Sequence, residues 1–84
     1  MNNKGRKMIK LYVQGFNKNK RFFDESIDRK AFYLTMMDVY RNQMIGFMDA
    51  CCVLDCKEEL DFNKLNKIRH KMNAIFIDRR SKRY

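Results

Sequence analysis

The sequence predicts an all-α fold: a three-helix unit with a long central helix and an antiparallel C-terminal helical hairpin. Three observations predict it. Proline is absent and only Gly5, Gly15 and Gly46 interrupt the 84 residues, so the chain holds few helix breakers. Apolar residues recur at spacings of three and four from Phe32 to Leu54, and again from Phe62 to Phe76, which is helical periodicity. The one alternation of strand type, Ile9, Leu11 and Val13, has no second strand in the chain to ladder with. A hydrophobic content of 45% is that of a folded domain rather than a disordered chain. Residues 1–84 therefore read as one domain, with 1–6 and 79–84 as basic tails.

The N-terminal stretch fits two patterns. Met8, Leu11, Tyr12, Gly15 and Phe16 form a helical stripe, and a helix over about residues 7–16 follows from it. The strand option survives only as pairing of two protomers through residues 8–13. Residues 17–23, with Lys18, Lys20 and Arg21, read as a basic connector that Phe22 and Phe23 pin to the core.

The central helix is expected to start near Asp24 or Ser26, either of which caps well. At 100° per residue, Phe32, Tyr33, Met36, Met37, Val39, Tyr40, Met44, Phe47, Met48, Cys51 and Leu54 fall on one broad arc. The opposite stripe is Thr35, Asp38, Asn42, Gly46 and Asp49. An arc wider than half the circumference needs two covering helices, or one helix and a second protomer, so a homodimer is one expectation. Residues 55–60 break the pattern and read as a turn. Asp61 then caps a helix whose apolar stripe is Phe62, Leu65, Ile68, Met72, Ile75 and Phe76, fading near Asp78 into the tail.

Charge is sorted along the chain. Residues 1–23 hold seven Lys/Arg and no acid, 24–63 hold four basic and nine acidic groups, and 64–84 hold eight basic groups and Asp78 alone, for a net +9. In the expected fold the cationic ends of the chain meet at one extremity, with Lys18, Lys20, Arg21, Arg29, Lys30, Arg79, Arg80, Lys82 and Arg83. Asp49, Asp55, Glu58, Glu59 and Asp61 gather at the other. Such sorting points to a polyanion partner. Lys64, Lys67 and Lys71 lie at i, i+3 and i+7 and share one helical face, where lysines follow a line of phosphates. The residues expected to contact nucleic acid or a partner are thus Arg79, Arg80, Lys82, Arg83, Lys18, Lys20 and Arg21, then Lys64, Lys67 and Lys71. A helix-turn-helix fits less well, because Glu58, Glu59 and Asp61 flank the end that would enter the groove.

Other classes find little support. One His, two Ser and no glycine-rich phosphate loop argue against an enzyme. Cys52 and Cys56 lack a second ligand pair, so neither metal nor cofactor is expected. Three cysteines within six residues do not make a disulfide framework, and no apolar run approaches the ~18–20 residues of a membrane span or the centre of a signal peptide. A cytoplasmic location follows as an expectation. Residues 4–23 mix cations with apolar groups and could lie on anionic lipid, but covering the central helix is the simpler use of those groups.

The run from Tyr40 to Ala50 (Tyr-Arg-Asn-Gln-Met-Ile-Gly-Phe-Met-Asp-Ala), then Leu54, an acidic turn and an amphipathic helix to Phe76, resembles the small helical-hairpin proteins of Gram-positive phages and mobile elements. The resemblance is one of pattern and covers about half the chain. It implies a regulator or inhibitor acting on nucleic-acid machinery, including anti-defence proteins. The two expected modes are contact with a nucleic acid or nucleoprotein complex, and direct docking on a host protein.

Overall fold

The computed structural model describes residues 4–53 and 61–82. Three helices, α1 (Lys4–Glu25), α2 (Lys30–Val53) and α3 (Phe62–Ser81), form a rod of 44 × 18 × 17 Å. The expected all-α architecture is the one observed, with α1 packed mostly on α2 and α3 running back along α2. No strand occurs among the described residues, and residues 8–13 are helical. The expected turn at 55–60, with Asp55, Cys56, Glu58 and Glu59, lies outside the described residues, as do Leu54, Arg83 and Tyr84.

α1 is twice as long as expected. The connector over 17–23 is helix, and so are Lys4–Arg6 of the supposed N-terminal tail. Asn17 and Asn19 are poor helix formers, but packing decides here. Phe16 and Phe23 sit two turns apart on one face and are both fully buried; each such burial contributes about 1.5–3 kcal/mol. Asn19 also caps its own turn locally, Nδ2 donating to the Gly15 carbonyl at 2.8 Å.

α2 begins at Lys30, later than expected. Asp24 belongs to the last turn of α1. Ser26 instead closes the link, its Oγ accepting from the Arg29 amide at 2.9 Å, and the Tyr33 amide then donates to the Arg29 carbonyl at 3.1 Å. Leu34, Met37, Arg41, Met44 and Met48 follow at alternating spacings of three and four. The four apolar members are buried. Arg41 sits in the same seam. Its guanidinium donates to Asn73 Oδ1 of α3 at 2.8 Å and to Asp38 Oδ1, and lies 4.5 Å from the Phe76 ring centre. Toward α1 the contacts are aromatic: Tyr12 with Phe47, and Phe22 with Tyr33. The wide apolar arc is only partly covered. Phe32 and Val39 stay 55% and 39% exposed.

α3 starts as the sequence indicates. The Asp61 side chain accepts from the Lys64 amide at 3.1 Å. Leu65, Met72 and Phe76 are buried. The helix passes Asp78 and ends at Ser81, so Arg79–Ser81 of the expected tail are helical.

Candidate functional site

α1 and α3 run side by side in the same direction, and contacts at both ends fix this. At one end Arg6 and Ile9 of α1 line a cleft of about 450 Å³ with Asp61, Lys64, Leu65 and Ile68. At the other end Arg79 of α3 grips Asp24 of α1, Nε donating to Oδ1 at 2.7 Å and Nη2 to Oδ2 at 3.1 Å. Between these anchors, helical phase assigns the facing residues. On α1 they are Arg6, Lys10, Val13, Asn17, Lys20 and Asp24. On α3 they are Lys64, Ile68, Lys71, Ile75, Arg79 and Lys82. Both rows are spaced by fours and threes, as one helical face requires.

By this phase the cleft at the Arg6–Lys64 end continues between α1 and α3 as a groove with an aliphatic floor and cationic rims. Arg6 and Lys10 stand on one rim, Lys64 and Lys71 on the other, all exposed, with Lys20 half-buried further along and Lys67 just outside. α1 carries no acid before Asp24, and α3 carries none between Phe62 and Ile77. Among the described residues none of these six cations is ion-paired. Two helix N-termini, with their positive dipole ends, lie at the Arg6–Lys64 end.

The far end of the groove is closed by the chain's own carboxylates. Arg79 pairs with Asp24 and Asp78, and Lys82 Nζ reaches Asp78 Oδ2 at 3.3 Å. The hydrogen bond from Arg79, then that from Lys82, holds the Asp78 carboxyl below its ordinary value of 3.8. The Arg79 guanidinium is raised above its ordinary value, chiefly by the bond to Asp24.

The structure thus distributes the sequence-predicted residues differently from the expected single pole. Lys18, Lys20, Arg21, Arg29, Lys30, Arg79, Arg80 and Lys82 do gather at one end of the rod. Asp24, Glu25, Asp28 and Asp78 share that end, so it is a mixed-charge surface. Arg79 and Lys82 are engaged internally. Lys30 Nζ donates to the Phe23 carbonyl at 2.7 Å. Lys18 and Arg21 flank the Phe22 ring at 5.7 and 5.6 Å, on the α2 side of α1. Arg83 lies outside the described residues. Nor do the chain's cationic ends meet: Arg6 and Lys82 sit at opposite ends of the rod. Lys20, Lys64 and Lys71 come together in the groove, with Lys67 beside it. Sequence reasoning missed Arg6 and Lys10. Their signal was the i, i+4 spacing inside an acid-free block.

His70 is exposed on the outer side of α3. Among the described residues no three His, Cys, Asp or Glu side chains converge, and no helix is long and apolar enough to cross a membrane. No family model, curated protein or solved structure matches the chain.

Proposed function

We propose that this chain is a non-enzymatic binding protein that holds the phosphate backbone of a nucleic acid, free or within a nucleoprotein complex, along the α1–α3 groove. One observation carries the reading: two facing rows of cations with no carboxylate between Arg6 and Lys20 or between Lys64 and Lys71. Fixed cations with no internal partner keep their charge available to phosphates, and lysines at one-turn intervals follow a backbone without reading bases. Occupying nucleic acid in this way suits the regulator or inhibitor role that the resemblance to phage and mobile-element proteins implies.

The test is a salt titration of binding to a fluorescent random-sequence duplex. With about five phosphates neutralised, the slope of log affinity against log salt is about −4 to −5. Replacing Arg6, Lys10, Lys64 and Lys71 by Ala lowers affinity at least about tenfold and makes the slope shallower by about one for each cation removed. Unchanged affinity and slope in that variant would remove the groove from the proposal. Capture of one host protein that survives nuclease and is insensitive to salt would favour direct protein docking instead.

A further inference from the structure

The side of the rod opposite the groove differs sharply in chemistry. Among the described residues α2 exposes nine, and only Asp49 is charged, against seven of ten on α1. Four of the five exposed large hydrophobics border this face. Phe32 and Val39 stand at i and i+7 on α2. Leu11, 56% exposed, shares a helical face with Gly15, on which Tyr40 of α2 packs. Ile77, 58% exposed, is one turn beyond Asn73, which bonds Arg41 of α2.

We infer that the outer face of α2 binds a second copy of this chain, α2 against α2 about a two-fold axis. Three arguments select that occupant. The first is charge. A chain of net +9 repels its own copies across the α1 and α3 faces, whereas the described residues that α2 itself exposes include no cation, Lys18 and Arg21 standing at its α1 edge. The same lack of charge gives neither a polyanion nor an acidic partner anything to pair with. The second is area. One long side of the rod, 44 × 18 Å, is about 800 Å² in outline, so a contact centred on α2 that uses most of that side, the Leu11 and Ile77 edges included, reaches the share each partner contributes to a standard interface of about 1,600 Å². The third is Gly46. It sits in mid-helix at the centre of the face, and a Cβ there meets nothing within 4 Å. Glycine at such a position costs about 1 kcal/mol against Ala, and nothing among the described residues accounts for it. Close passage of a second helix does. The contact is isologous, so it closes at two copies and turns both cationic grooves outward.

The inference is independent of the groove, and sedimentation equilibrium tests it. Over about 1–100 µM, the range in which interfaces of this size begin to hold, the mass should rise from 10.3 kDa toward twice that value. Raising salt should tighten the association, because it screens like charges, which is the opposite sign to polyanion binding. Val39→Glu and Phe32→Glu, both at exposed sites, should keep the helical circular dichroism and weaken association at least about tenfold, since each buries an unpaired charge in the interface. Lys71→Glu, on the other side of the rod, should not weaken it. A 10.3 kDa mass throughout the range, or association unchanged in both α2 variants, would overturn the inference. So would a monomer whose α2 face takes up a different protein.

Discussion

A Cβ built on Gly15 would lie 2.4 Å from Tyr40 Cε1, inside the ring's contact distance, whereas one on Gly46 meets open space. Two glycines in helix interiors therefore predict opposite responses to the same change. Gly15→Ala gains about 1 kcal/mol of helix propensity but forces the Tyr40 ring away from α1, and overpacking of this kind costs about 1–3 kcal/mol. Its melting temperature should fall. Gly46→Ala, made in the Val39→Glu background so that self-association does not enter, should gain about 1 kcal/mol, or roughly 4–8 °C for a domain of this size. Thermal circular dichroism reads both. A rise in the Gly15 variant would mean that Tyr40 moves aside freely and that α1 and α2 pack loosely there. Arg41 gives a similar lesson about single residues. Its spacing from Met37 and Met44 marks it as a seam position, but its polarity hid this from a reading based on apolar periodicity. Only the folded chain supplies Asn73, Asp38 and the Phe76 ring as its partners.

At the scale of elements, what could be read depended on whether local chemistry or distant packing decided. The α3 start was legible because Asp61 caps it with its own side chain, a local signal. The α1 end was not, because Phe16 and Phe23 belong to the core shared with α2 and α3, and this overrides the two asparagines. The Lys64, Lys67 and Lys71 row was legible from spacing alone. Its pairing with Arg6 and Lys10 was not, since nothing local says that α1 and α3 run in the same direction. The Arg79 cluster is where those two helices are tied, which sets a prediction. Arg79→Ala at neutral pH should lower stability by up to about 1 kcal/mol, the range of partly exposed pairs, and leave duplex affinity nearly unchanged. Loss of binding in a folded variant would return the C-terminal arginines to the site. The pH sign follows from Asp78. Its folded value lies below the ordinary 3.8, so its stabilising effect is present above 3.8 and is lost as pH falls through the lowered value. Melting temperature should drop as pH falls below about 4, and Asp78→Asn should flatten part of that drop. An equally steep decline in Asp78→Asn would assign the acid sensitivity to other carboxylates.

Over the whole molecule, charge and apolar surface lie on opposite sides of one rod. The groove carries cations of which Arg6, Lys10, Lys20, Lys64, Lys67 and Lys71 make no ion pair among the described residues, with Asp61 at one end and Asp24 and Asp78 at the other, and among the described residues α2 exposes Asp49 as its one charged group. The block sorting along the sequence foreshadowed polarity from end to end, whose acidic turn at 55–60 lies outside the described residues; the described residues add a difference across the width. The reason is that α1 and α3, which hold the two basic blocks, lie side by side, while α2 holds two carboxylates, Asp49 and Asp38, the latter paired with Arg41. The two proposed functions, on separate faces, would then be coupled through net charge alone. Self-association is opposed by repulsion between two chains of +9, and a bound polyanion removes part of that repulsion. By reciprocity the dimer must bind the polyanion more tightly by the same factor. Short duplexes, each long enough for one groove only, should therefore shift the sedimentation equilibrium toward the dimer at low salt. The shift should shrink as salt screens the repulsion it relieves, and Val39→Glu should abolish it while retaining single-site duplex binding. A shift that persists in Val39→Glu would mean that the duplex itself bridges two grooves, and the α2 face would then have no part in assembly.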